Sequence, residues 1–237
     1  MTVERKQQDI VVGIDCSGES FSVAVLRGEE CLAETGGLSV RSHLRLLFPT
    51  LLACVGQAGL SLQDVACVAV TNGPGSFTGL RLGVVTARTI AQVTKCSVVG
   101  VSTVEALAAG VPGSECVMAG MDARRSEIFA AFFDTRSGLP RRLSEDKAYS
   151  ATELAAAMRE RGCRLAVGSC VAKYGSELQE AGSDVCLLSP ILAQPRGIWV
   201  ARLGRAAWLA GENCPPYELV PVYLRTAEVQ VHSVKPC

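Results

Sequence analysis

The chain has 237 residues, enough for two modest domains or one large one. Basic and acidic residues number 23 each, so the formal net charge is zero. That excludes a protein holding nucleic acid by bulk charge, although a local basic patch is compatible with it. Apolar residues make up 49% of the chain, which permits a substantial core. The eleven cysteines include no C-x-x-C pair, and most lie in apolar runs such as VACVAV. They read as reduced cytosolic thiols acting as small core residues, not as metal ligands. The charged start MTVERKQQD does not read as a secretory signal. The longest uncharged stretch, Leu46 to Gln63, contains Pro49 and two glycines and does not read as a membrane span. A cytoplasmic protein is expected.

IVVGIDC (10–16) is a dense apolar run ending in an acid and predicts a buried strand. SFSVAVL (20–26) alternates and predicts a second strand; CLAE (31–34) predicts a third, completing an antiparallel meander. Residues 43–58 predict a helix, with Leu44, Leu47, Phe48, Leu51, Leu52 and Val55 on one face and a possible kink at Pro49. DVACVAV (64–70) is a strand, 78–95 a helix, 97–102 a strand and 103–109 a short helix. The pattern then restarts. ECVMAGMD (115–122) and EIFAAFFD (127–134) predict strands, followed by helices at 151–161, 171–181 and 196–211 and short strands near 165–167 and 185–188. LVPVYLR (219–225) reads as extended. Strand, acid, turn and strand thus occur twice, at Asp15 and at Asp122, as two related α/β halves would produce. The break falls around 103–115, giving domains at 1–103 and 104–237, with the last helix and tail packing back on the first.

Between the strand at 64–70 and the helix at 78–95 lies NGPGSFTGLRLG (72–83). It lacks the lysine of a Walker A loop and the third glycine of a dinucleotide loop. Gly73 and Gly75 permit tight turns, Pro74 fixes φ, and Ser76 or Thr78 can cap the helix. Free amides there could hold an anion; a plain strand-to-helix connection is the alternative. Gly79, Gly83, Ala87 and Ala91 form a narrow row of small side chains along the helix. Such a row lets another element approach closely: the 43–58 helix, a sheet face or another protein. MDARRSEIF places Asp122, Arg124 and Arg125 at a turn. This is either a solvated turn or a contact for a phosphate or a partner carboxylate.

IDCSGESFSVAV, NGPGSFTGLRLGV, GVSTVEALA, MDARRSEIFAAF and PVYLR, in that order over residues 10–225, resemble the bacterial TsaB (YeaZ) family. The resemblance implies a two-domain actin/sugar-kinase/Hsp70-type (ASKHA) ATPase-like fold, each domain a mixed sheet flanked by helices. It implies a part in making N6-threonylcarbamoyladenosine at adenosine 37 of tRNAs that read ANN codons. In that family TsaB is the non-catalytic partner of TsaD, which transfers the threonylcarbamoyl group, and TsaE joins them. TsaB alone pairs with a second copy, tRNA is reached through the complex, and Asp122, Arg124 and Arg125 become candidates for a contact with tRNA phosphate or the partner. The paired helices of the first domain serve as the interface, which nominates Leu44, Leu47, Phe48, Leu51, Gly79, Gly83, Ala87 and Ala91. Gly83→Leu is therefore expected to abolish partner binding while the chain stays folded.

TsaD-like relatives carry H-x-x-x-H metal ligands where this chain has Thr103 and Leu107. Only His43 and His232 are present, far apart and without ligand-like neighbours. No metal site is expected. Asp15 aligns with the acid that positions metal and phosphate in active ATPases, but Cys16 replaces the usual threonine, and only Gly168 remains of an adenosine loop. Asp15, Ser17, Gly73, Gly75, Ser76 and Gly168 are therefore candidates for a vestigial phosphate site, with no cofactor bound by the isolated chain. ATP or ADP would bind only at an interface shared with TsaD. The competing readings are a protease-like enzyme and a small-molecule kinase of the same fold; the kinase would need tight ATP binding.

Overall fold

The computed structural model describes residues 9–38, 43–182, 184–189 and 194–224, with the backbone only for His43 and Leu44. His232, Cys237 and the tail from Arg225 lie outside the described residues, as do the side chains of His43 and Leu44.

The first half opens with β1 (Ile10–Asp15), β2 (Ser20–Arg27) and β3 (Glu30–Leu38), then α1 (His43–Gln57), β4 (Cys67–Gly73), α2 (Phe77–Thr94) and β5 (Ser97–Ser102). β1, β2 and β3 form the expected antiparallel meander, and β4 and β5 add in parallel, giving the order β3-β2-β1-β4-β5. Alternation along the strands dictates two apolar faces. Ile10, Val12, Ile14, Val68 and Val70 face α1 and α2. Val11, Ala69, Val99 and Val101 face the other way.

α3 (Thr103–Ala109) leads into the second half: β6 (Val117–Arg124), β7 (Glu127–Asp134), β8 (Arg141–Arg142), β9 (Lys147–Tyr149), α4 (Ala151–Glu160), β10 (Leu165–Val167), α5 (Cys170–Gln179), β11 (Cys186–Leu187) and α6 (Gly197–Leu209). Its sheet runs β11-β10-β6-β7-β8, with β9 also pairing β7. β8 and β9 have no counterpart among the predicted strands: RRLSEDKAY is too charged and too short to announce one. Met118, Ile128, Ala130 and Phe132 face α4 and α5. Val117, Ala119, Ala131 and Phe133 face α3.

The two halves repeat one arrangement. β1 pairs antiparallel with β2 and parallel with β4; β6 pairs antiparallel with β7 and parallel with β10. α6 crosses back and covers the second face of the first sheet with Val200, Ala201 and Leu203. α3 touches both sheets, through Ala106 and Ala109 on one side and Val104 and Leu107 on the other. Among the described residues no helix is long and apolar enough to cross a membrane.

Candidate functional site

The turn after β1 and the glycine loop after β4 meet at the carboxyl ends of two adjacent parallel strands. Asp15 is fully buried there. Its Oδ1 accepts hydrogen bonds from the Ser17 amide at 3.1 Å, the Ser17 hydroxyl at 2.6 Å and the Thr71 hydroxyl at 2.8 Å. The glycine loop lies directly on this turn. The Ser76 amide donates to the Ser17 carbonyl at 2.7 Å, so that amide is not offered to an anion. A Cβ on Gly75 would stand 2.5 Å from the same carbonyl, and one on Gly79 would stand 2.0 Å from the Cys16 carbonyl. Both positions lack a side chain because two backbones touch there. Ser76 caps α2 by accepting from the Gly79 amide at 3.3 Å. On the far side the Val222 amide donates to the Asn72 carbonyl at 2.6 Å, which pins the C-terminal segment beside Gly73. Burial, reinforced by the Asp15 charge, pushes the Cys16 thiol well above its ordinary pKa and removes it as a nucleophile.

Asp15, Ser17, Gly73, Gly75 and Ser76 thus converge, while Gly168 lies in the second half against Gly120. Gly168 has φ +115°, and a Cβ there would meet the Gly120 carbonyl at 1.9 Å, so it serves close packing of the second sheet. The turn after β6 approaches the first one from across the halves: Gly18 lies against Met121 and the Gln194 side chain, and the Ser20 hydroxyl donates to Gln194 Oε1 at 3.0 Å. The Ser17 amide and hydroxyl and the Ser76 amide are engaged within this cluster, and the Gln194 side chain lies against Gly18.

At the second turn, Asp122 accepts from Lys173 Nζ at 3.1 Å, from the Tyr174 hydroxyl at 3.2 Å and from the Arg124 amide at 2.9 Å. Burial pushes its pKa up, but the Lys173 bond and the other donors outweigh this and hold it below the usual carboxylate value. Arg124, Arg125 and Ser126 are exposed, and all three adopt positive φ, at 62°, 49° and 63°. Left-handed backbone is costly for residues with a Cβ. α3 places Thr103 and Leu107 in its buried interior. Among the described residues no three His, Cys, Asp or Glu side chains gather as metal ligands.

The small row on α2 corrects an expectation. Gly79, Gly83, Ala87 and Ala91 are all buried. The row faces the sheet: a Cβ on Gly83 would stand 3.1 Å from Val70 and 3.6 Å from the Cys16 side chain. It cannot also serve as an external contact, so Gly83→Leu would break the core instead of an interface. Leu47 and Leu51 are likewise buried at 1% and 0% exposure. Of the nominated apolar residues, Phe48 is exposed, together with Leu46 and Leu52 on α1 and Phe77, Val85 and Val93 on α2. Leu46, Phe77, Val85 and Val93 escaped the sequence reading, although Phe77, Val85 and Val93 recur every eight residues, opposite the small row. At the head of this face the Arg81 guanidinium lies 3.8 Å from the centre of the Phe77 ring, and its Nε donates to the Tyr223 hydroxyl at 3.0 Å.

The sequence pattern of the family described as "TsaD: tRNA N6-adenosine threonylcarbamoyltransferase" matches residues 22–156. The chain is 25% identical to the Bacillus subtilis protein named tRNA threonylcarbamoyladenosine biosynthesis protein TsaB, over 95% of this chain and 98% of that one. A crystal structure from Pseudomonas aeruginosa, titled as an uncharacterized protein with similarity to peptidase YEAZ, superposes with a TM-score of 0.79 and 25% identity, covering 91% and 99% of the two chains. The chain belongs to the TsaB (YeaZ) branch of the tRNA N6-adenosine threonylcarbamoyltransferase family. Its fold is the ASKHA type, two mixed sheets flanked by helices. It is shared at a TM-score of 0.50 and 12% identity with the activator of 2-hydroxyisocaproyl-CoA dehydratase from Clostridium difficile, over 90% of this chain and 99% of that one. In this TsaB-like chain the turns that carry Asp15 and Asp122 are the corresponding hairpin ends of the two halves.

Proposed function

We propose that this chain is the non-catalytic subunit in synthesis of N6-threonylcarbamoyladenosine on tRNA, acting by dimerising with TsaD. The observation that carries the reading is the outer side of α1 and α2. Leu46, Phe48, Leu52, Phe77, Val85 and Val93 are exposed there on two helices that pack on the same sheet face. Apolar surface in water is unfavourable by about 25 cal/mol per Å², and grouped apolar side chains on a surface mark an interaction site. The TsaB name of the Bacillus subtilis relative supports the pathway. Transfer chemistry falls to TsaD, because Thr103 and Leu107 cannot act as imidazole ligands. The chain carries no nucleotide of its own; ATP or ADP binds only where TsaD contributes to the site. TsaE joins the pair, tRNA is reached through the complex in the cytoplasm, and the isolated chain uses the same face to bind a second copy.

The test is transfer of labelled threonine to unmodified tRNA by a cognate TsaD and TsaE, with threonylcarbamoyl-adenylate supplied, run with and without this chain. Transfer should require the chain, and the chain alone should do nothing. Leu52→Glu combined with Val85→Glu should abolish both complex formation and transfer while leaving the melting temperature near that of the parent. Transfer that is indifferent to the chain would sink the proposal. Tight Mg-ATP binding by the isolated chain in isothermal titration would favour a kinase instead.

A further inference from the structure

At the opposite end of the molecule the second sheet begins with a group of cysteines. β6 and β10 are parallel, with Val117 opposite Leu165. Cys116 directly precedes β6, and Cys163 lies two residues before β10. Regular strand spacing, extended past the paired residues, puts their Cα atoms about 5.8 Å apart. That falls within the range a disulfide spans, about 4.4–6.8 Å. Their side chains confirm the proximity. Cys163 Sγ donates to the Cys116 carbonyl at 3.5 Å and to the Leu165 carbonyl at 3.5 Å. Both cysteines are reduced in the structure.

The pair is reachable from outside. Cys116 is half-buried and lines an open cavity of about 850 Å³, whereas Cys163 is 2% exposed and sits behind it. Arg141, Arg161 and Arg164 line the same cavity. Arg141 is paired with Asp134 and Arg164 with Asp184. Arg161 stacks on the Phe132 ring and donates to the Ala157 carbonyl, and its charge favours both thiolates. The interaction between the two thiols holds Cys163 below its ordinary pKa and Cys116 above it. Cys186, one strand over on β11, is exposed and lines the cavity too.

We propose that Cys116 and Cys163 form a reversible dithiol–disulfide pair, oxidised through this cavity by a small anionic disulfide of the glutathione type. Cys116, the sulfur that lines the cavity, gives its proton to solvent base and attacks the incoming disulfide. One sulfur–sulfur bond breaks, a mixed disulfide forms at Cys116 and the first thiolate leaves. Cys163 gives its proton to that leaving thiolate and attacks the Cys116 sulfur, forming the protein disulfide and releasing the second thiolate. Two electrons pass from the cysteine pair to the small disulfide, and excess reduced thiol reverses every step. In a reducing compartment such a bond is transient, as expected of a sensor instead of a structural staple.

The experiment equilibrates the full chain in buffers of graded oxidised-to-reduced glutathione ratio, alkylates the remaining thiols and maps peptides without reduction by mass spectrometry. The expected result is a Cys116–Cys163 link that rises and falls with the ratio, with Cys186 left alkylated or carrying glutathione. Cys163→Ser should instead accumulate glutathione on Cys116. If exposed Cys31 and Cys186 take up glutathione while the wild-type chain forms no Cys116–Cys163 link, the proposal is overturned. A link from Cys116 to Cys186 in its place also overturns it. The wild-type map decides the matter even if a variant folds poorly.

Discussion

The hairpin ends of the two halves carry the same signature and have different surroundings. After β1, Asp15 is sealed beneath the glycine loop, its carboxylate held by a serine and a threonine, with α2 seated on the neighbouring carbonyl. After β6, Asp122 is only partly buried, held by a lysine ammonium and a tyrosine hydroxyl, and followed by two exposed arginines. The first has become a packing joint, and the second remains a polar surface. The lesson concerns cost. A carboxylate shut away from water depends on the few donors built around it, here all on Oδ1, whereas one at the surface can exchange a partner for solvent.

Substitutions that open the first joint should have the largest effect. Gly79→Val drives a side chain into the Cys16 carbonyl and should destabilise by about 3 kcal/mol or more, read from denaturant midpoints. Asp15→Ala strands the Ser17 amide and the Thr71 hydroxyl in the interior and should cost about 2–4 kcal/mol by the same measurement. A result below 1 kcal/mol for either would mean that the joint is looser than its contacts indicate.

The second turn should behave oppositely. Arg124→Gly removes a Cβ from left-handed backbone and should raise stability by up to about 1 kcal/mol, visible as a higher melting temperature. If Arg124 instead contacts tRNA phosphate, the same variant should transfer threonine less well while melting higher. Asp122→Asn should have the smallest effect, under about 1 kcal/mol at neutral pH, because both Asp122 and Lys173 are partly exposed. The sign follows from the depressed pKa of Asp122 in the folded state. Its contribution is present above the unfolded carboxylate value and is lost as pH falls through the folded one. The gap between parent and variant should therefore close in acid, and a gap that persists there would assign the effect to packing.

Much of the fold was legible in the sequence because burial on one or both faces leaves a period. The runs at 10–16, 20–26 and 64–70 became β1, β2 and β4, and the predicted helix at 78–95 became α2 (Phe77–Thr94). β8 and β9 were hidden because short charged edge strands carry no such period. The convergence of Asp15, Ser17 and the glycine loop was foreseeable from their types; that the Ser76 amide is already engaged was not, because this depends on which backbones touch.

The sequence by itself determined the types of the longer elements, the repeated strand–acid–turn–strand unit and the presence of a small-sided stripe on α2. It could not say which way that stripe points, because a row of small residues suits any close neighbour. Tertiary structure decided it: the Cys16 carbonyl and Val70 occupy the space a side chain would need, which turns Phe77, Val85 and Val93 outward. Tertiary structure also decided which cysteines meet. Cys116 and Cys163 are 47 residues apart in sequence, and only the parallel pairing of β6 with β10 brings their sulfurs together. Periodicity is a local property that a chain carries in its order of residues, whereas facing and pairing arise only when separate segments compete for the same space.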